Sequence, residues 1–108
     1  DDLRALTANA DYSRAGREAN ILRAQTIAHY LHNQDRVVVV SLVAPYRSLR
    51  EEFKAATGLT EIYVHTTEAR GREAKHANDY EPPLDRYIDI DTTGISVNYS
   101  LAGLLKLL

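Results

Sequence analysis

Apolar positions along the chain fall into a few blocks separated by polar turns. The strongest block is Val37–Val43, VVVVSLV. A run this apolar and this rich in β-branched residues predicts a strand buried on both faces of a parallel sheet. Pro45 ends it, because proline has no N–H to give to a ladder. Upstream, Ile21, Ala24, Ala28 and Leu31 share one face, with Ile27 beside them. They predict a helix from about Arg14 to His32, with Ser13 as its N-cap. Downstream, Leu49, Phe53 and Ala56 predict the buried face of a second helix running to about Thr57. Gly58 then stands at its C-terminal turn. Ile62 and Val64 alternate within Glu61–Thr66, and Ile88 and Ile90 within Arg86–Asp91, as short strands do. Ser96 precedes Val97, Leu101, Leu104, Leu105 and Leu108, which repeat at helical spacing. The polar stretch from Thr67 to about Ala77 predicts a mobile helix, broken by Tyr80-Glu81-Pro82-Pro83. Asp1 to Asp11 reads as loop with a short helical turn. Helix and strand alternate, so the class is α/β with a parallel sheet and right-handed crossovers.

The chain has 108 residues, enough for one domain. A formal net charge of −2 gives no general pull toward nucleic acid or membrane. No cysteine is present, so disulfides and thiolate metal sites are excluded, and a reducing, cytoplasmic setting fits. No apolar run approaches the length of a membrane span, and no signal peptide precedes the first helix. The opening Asp1-Asp2-Leu3-Arg4 has no methionine and no lead-in strand. We read the chain as a fragment.

The chemistry-bearing residues narrow the choice. Neither G-x-x-x-x-G-K-[ST] nor G-x-G-x-x-G occurs, so no self-contained nucleotide site is expected. His29, His32, His65 and His76 have no ligand spacing and read as surface residues. The seven tyrosines are scattered rather than set as a stacking platform. Arginines remain: Arg4, Arg17, Arg23, Arg47 and Arg50. In a parallel layer the places that carry them can meet at one sheet edge, where ligands of open α/β sheets bind. Arginine forks suit phosphate and sulfate. Solvated charge paired with Glu18, Glu51 and Glu52 is the other reading of the same residues.

At these positions the chain resembles the adenylylsulfate kinases, P-loop kinases that phosphorylate adenosine 5′-phosphosulfate. Asp1-Asp2-Leu3-Arg4 is similar to the family's D-N-[IV]-R. Ser13, Arg17, Asn20, Ile21 and Arg23 keep register with F-S-x-x-D-R-x-E-N-I-x-R. Ser41–Arg50 resembles S-F-I-S-P-Y-R-x-x-R, Tyr80–Pro83 resembles P-Y-E-x-P, and Asp91-Thr92 resembles the closing L-D-T. Departures are Gly16 and Ala19 for the family's Asp and Glu, and Ala44 for its second serine. The lid motif is missing, and Glu68–Asp79 is shorter than the family lid.

The resemblance implies a three-layer, P-loop NTPase-like fold whose first strand and phosphate-binding loop lie before Asp1. It implies transfer of the ATP γ-phosphoryl group, with Mg²⁺, to the 3′-hydroxyl of adenosine 5′-phosphosulfate in sulfate assimilation. It gives Asp1 the catalytic place, against the attacking hydroxyl or Mg²⁺. Asp2, Arg4, Arg17 and Asn20 would bind the phosphosulfate nucleotide, Tyr12 would pack near its base, and Val43 and Ala44 would offer backbone groups. Arg47 and Arg50 are second choices, more structural in role. A nucleotide partner is thus expected, with room for a homodimer. A related kinase with another acceptor and a non-catalytic nucleotide-binding domain both stay open.

Overall fold

In the computed structural model of the chain, residues 2–68 and 79–108 are described. The fold is α/β. Its elements are α1 (Asp2–Leu6), α2 (Arg14–His32), α3 (Arg47–Thr57), β1 (Glu61–His65), β2 (Tyr87–Asp91) and α4 (Val97–Leu107). β1 and β2 pair in parallel, with Ile62 opposite Ile88 and Val64 opposite Ile90. The polar stretch from Thr67 to Ala77, expected to be a helix, lies mostly outside the described residues.

The helix boundaries follow from local chemistry. Ser13 is extended at φ −65°, ψ 170°, and its hydroxyl accepts the Gly16 N–H at 3.3 Å, which starts α2. Gly58 closes α3 at φ 68°, a left-handed conformation that costs glycine little, and its N–H bonds the Lys54 carbonyl at 2.8 Å. Ser96 caps α4 by accepting the Tyr99 N–H at 3.2 Å. Tyr46 caps α3 without a side-chain bond. A carboxylate from far along the chain, Glu81, does that work instead and accepts the Arg47 N–H at 2.7 Å.

The core is small. Ile21, Ala24 and Ala28 of α2 are buried, as their spacing predicts, and Tyr46 is 1% exposed among them. Leu31, expected on the same face, is exposed, because α2 outruns its partners toward its C-terminus.

Two further expectations are corrected. The Val37–Val43 run is not a strand. It has no regular secondary structure and forms no ladder with any described segment, and Val37 and Val39 are 98% and 88% exposed. Its β-branched side chains favour the extended backbone, but burial of such a run needs strands on its flanks, and among the described residues β1 pairs only with β2. Next, Ala56 of α3 is exposed, and the buried side chain of that helix is Lys54, at 5% exposure. Acceptors set it there: its Nζ donates to Glu61 Oε1 at 2.8 Å and to the Asp85 carbonyl at 3.1 Å, and it forms an ion pair with Glu51 Oε1 at 2.9 Å. The Val97, Leu101, Leu104, Leu105 stripe forms a helix, as its spacing predicts, with Leu108 just past its end, and buries none of its residues. α4 packs against β2, and a two-stranded sheet is too narrow to cover it.

Candidate functional site

Most of the predicted site residues gather around the first turns of α2. Asp1 lies outside the described residues, and Asp2 opens α1. Arg4 folds back over the loop that follows α1. Its Nη1 donates to the Asp11 carbonyl at 2.9 Å and to Asn9 Oδ1 at 3.2 Å, and its guanidinium lies 4.2 Å from the Tyr12 ring centroid. Arg4 is buried, so it shapes the loop that presents the exposed Tyr12. That loop presses on α2 at Gly16. A Cβ there would stand 2.3 Å from the Asp11 carbonyl oxygen, so the close approach needs glycine. The Ser13 hydroxyl and backbone N–H hydrogen bond to Asp11 and hold its carboxyl below the usual range.

Arg17 projects from the first turns of α2 and pairs with Asp79 at 3.3 Å. One turn on, Asn20 is buried, and its amide oxygen has no hydrogen-bond partner among the described residues. A buried, unmet acceptor costs free energy. Arg14, on the same end of α2, stacks 4.1 Å from the ring of Tyr46. This contact brings the helix start against the turn where Val43 and Ala44 lie.

The turn is held from the other side by arginines. Arg50 donates to the Ala44 carbonyl at 2.7 Å, to Glu61 at 3.0 Å and to the Glu81 carbonyl. Arg47 donates to the Pro82 carbonyl at 2.7 Å, and the Glu81 N–H reaches the Pro45 carbonyl at 2.9 Å. Together they clamp the Asp79–Pro82 segment over the turn, which is how Asp79 comes to Arg17. Arg47 and Arg50 therefore do structural work. Arg23 is exposed on α2. The three arginine-bearing places do meet, but most of their guanidinium groups are spent on the chain's own carbonyls and carboxylates.

Ala44 has φ 42°, left-handed for a residue with a Cβ. With Val43 it lines a cavity of about 220 Å³ between the Val37–Val43 segment and β1, walled also by Ile21, Val40, Leu42 and Ile62.

One cluster was not legible as a cluster in the sequence. Tyr63 stacks on His65 at 4.6 Å and on Tyr80 at 5.9 Å, and meets Tyr87 edge-on at 6.1 Å. The tyrosines are thus less scattered than their spacing suggests. Strand alternation puts Tyr63 and His65 on one face, and parallel pairing sets Tyr87 opposite Glu61. His65 Nε2 lies 2.9 Å from Asp89 Oδ1. The other histidines named above, His29 and His32, are exposed on α2, and His76 lies outside the described residues.

The donors here do not fit a nucleoside triphosphate and its Mg²⁺. The starts of the three long helices already hold an acceptor from the chain. Asp11 accepts the Ser13 N–H at 2.9 Å, Glu81 the Arg47 N–H, and Ser96 the Tyr99 N–H. Glu68 also accepts the Gly94 N–H ahead of α4. Among the described residues no three His, Asp or Glu side chains gather as a metal site.

A family profile described as Adenylylsulphate kinase matches residues 1–102, nearly the whole chain. The chain belongs to the adenylylsulphate kinase family. Curated relatives agree. It is 29% identical over 106 residues to an adenylyl-sulfate kinase of Rippkaea orientalis, covering 81% of this chain and 59% of that one. It is 36% identical over 61 residues to one of Picosynechococcus, covering 56% and 34%. It is 27% identical over 116 residues to one of Microcystis aeruginosa, covering 90% and 64%. The chain thus spans less than two thirds of the length of these kinases. No solved structure matches it significantly. Among the described residues no helix is long and apolar enough to cross a membrane.

Proposed function

We propose that this chain forms the acceptor side of an adenylylsulphate kinase, the enzyme that moves the ATP γ-phosphoryl group to the 3′-hydroxyl of adenosine 5′-phosphosulfate. The observation that carries the reading is the convergence at the start of α2. Arg17, Asn20 and Tyr12 lie within two helical turns of one another and of the Ser13 cap, and Arg14 ties that end to the Val43–Ala44 turn. Arg17 supplies a fork for the phosphosulfate. Asn20 supplies an unmet amide oxygen to a hydroxyl or amine of the nucleoside. Tyr12 supplies an exposed ring for the base. Phosphoryl transfer rests on positioning and charge neutralisation, and these residues position the acceptor.

On this reading ATP and Mg²⁺ would be held by a phosphate-binding strand and loop outside these 108 residues, with the Asp1 carboxylate against the attacking hydroxyl or Mg²⁺. The cleft between the Val37–Val43 segment and β1 is where such a strand would go. Its walls mix apolar side chains with Arg50, Glu61 and Gln25, and the run flanking it has no ladder of its own among the described residues. Cytoplasmic location and a role in sulfate assimilation follow from the same reading.

Titration calorimetry tests the proposal. The chain should bind adenosine 5′-phosphosulfate, and Mg-ATP should give no measurable heat. Arg17→Ala should weaken the phosphosulfate by about one to two decades, the usual loss of a charge-assisted hydrogen bond of about 1.5–3 kcal/mol. Micromolar Mg-ATP binding, or unchanged phosphosulfate affinity in Arg17→Ala, would overturn it.

A further inference from the structure

Arg17 does not face its ligand alone. Its guanidinium is shared with Asp79, 3.3 Å away, and the pair is partly open to water, with side-chain exposures of 27% and 50%. Asp79 does not drift there. The residues after it are fixed by Glu81 to the Arg47 and Pro45 backbone and by Arg47 and Arg50 to Pro82 and Glu81. Any anion that docks on Arg17 therefore comes within one guanidinium width of a fixed carboxylate. Like charges so close repel, and the repulsion grows with the charge on the incoming group.

We infer that Asp79 is a specificity-determining residue that sets the acceptor site against highly charged ligands and so favours a phosphosulfate over a diphosphate. The inference rests on the reading of Arg17 given above. A phosphosulfate carries one charge on its phosphate and one on its sulfate. A terminal phosphate takes a second charge above a pH of about 6, so a nucleoside diphosphate carries one more. The carboxylate opposes both ligands and opposes the diphosphate more. An acceptor with a terminal sulfate is thereby separated from the commoner nucleotides of the same size.

Calorimetry at pH 8 and low salt with adenosine 5′-phosphosulfate and with ADP reads this on the full chain. Asp79→Asn should tighten both ligands, and ADP by about three- to fivefold more, as one elementary charge a few ångströms away in a wet site implies. Asp79→Glu, which keeps the charge, should retain the original preference. Added salt should shrink the difference between the original chain and Asp79→Asn. If Asp79→Asn changes both affinities by the same factor, or neither, Asp79 does not set specificity. A merely structural role predicts that equal change. Arg17→Ala separates the two claims. If it weakens both ligands while Asp79→Asn leaves their ratio alone, only the inference about Asp79 falls. If Arg17→Ala changes nothing, or the chain binds neither ligand, the acceptor-site reading falls and takes this inference with it.

Discussion

Replacing Lys54 with methionine should be among the most damaging single changes outside the apolar core. The Lys54 side chain is buried and joins three pieces of the fold. It reaches Glu51 in its own helix, Glu61 at the start of β1, and the Asp85 carbonyl just before β2. Methionine keeps the stem and the volume but takes away the charge and every donor. The Asp85 carbonyl then loses its Lys54 bond, and losing a hydrogen bond to a charged group costs about 1.5–3 kcal/mol. Glu61 keeps one cation, Arg50 at 3.0 Å, so it is not stranded. Glu51 is 30% exposed in its side chain and turns to water. Breaking a fully buried pair by removing one partner costs about 3–5 kcal/mol, and the surviving Arg50 contact puts this case near about 2–3.

Urea unfolding followed by far-ultraviolet circular dichroism gives the number. A loss below about 0.5 kcal/mol, the range of ordinary surface changes, would refute the pinning role. Adding Glu61→Gln should not add its full cost, because residues in one network are not additive. The pH dependence gives a second check. Burial pushes the Lys54 ammonium down, but the hydrogen bonds and charges of Glu61 and Glu51 outweigh burial, and its pKa ends above the ordinary 10.5. A base held above its unfolded value gives stability that is complete below pH 10.5 and is lost as pH rises through the folded value. Burial also pushes the Tyr80 phenol up from 10.0, which steepens the same alkaline fall. The difference between the original chain and Lys54→Met removes the Tyr80 part. That difference should stay constant to about pH 10 and close above it.

Two backbone positions make opposite forecasts. Gly16→Ala gains up to about 1 kcal/mol of helix propensity but drives a Cβ to 2.3 Å from the Asp11 carbonyl oxygen, and displacing that loop costs about 1–3 kcal/mol. A net fall in melting temperature is expected, and a rise would show that the loop does not press on α2. Ala44→Gly relieves a Cβ held at φ 42° and should raise the urea midpoint, by about 1 kcal/mol before the entropy of glycine is set against it. A lowered midpoint would mean that Ala44 carries no such strain.

How much of this was legible in the chain depended on how local the signal was. Ser13, Gly58 and Ser96 each act within four residues, and α2, α3 and α4 begin or end where those residues predict. The two paired strands were also plain, since alternation around Ile62, Val64, Ile88 and Ile90 is a property of the segment itself. Lys54 was hidden for the opposite reason. Nothing within its helix tells a lysine that its acceptors will be Glu61 and the Asp85 carbonyl, up to 31 residues away. The same holds for Asp79 at Arg17, 62 residues off, and for Glu81 capping α3.

Val37–Val43 is the most instructive departure, because the periodicity argument for it stands. Seven positions with five valines favour extended backbone, yet the segment has no regular secondary structure. What sequence pattern cannot supply is a neighbour. A strand is defined by hydrogen bonds to something else, and burial on two faces needs layers on both. The run therefore states a demand rather than an outcome. The same logic applies to α4, whose leucine stripe is correctly helical and yet uncovered. Exposed valines at 37 and 39 and a half-filled cleft beside β1 are the form that an unmet demand takes in a folded chain. At the start of α2 the demand is polar instead. Asn20 keeps an amide oxygen buried with no described partner, one turn from an arginine whose partner is half open to water. A core would not retain such a group without cost, whereas a binding site gains a donor-specific contact from it.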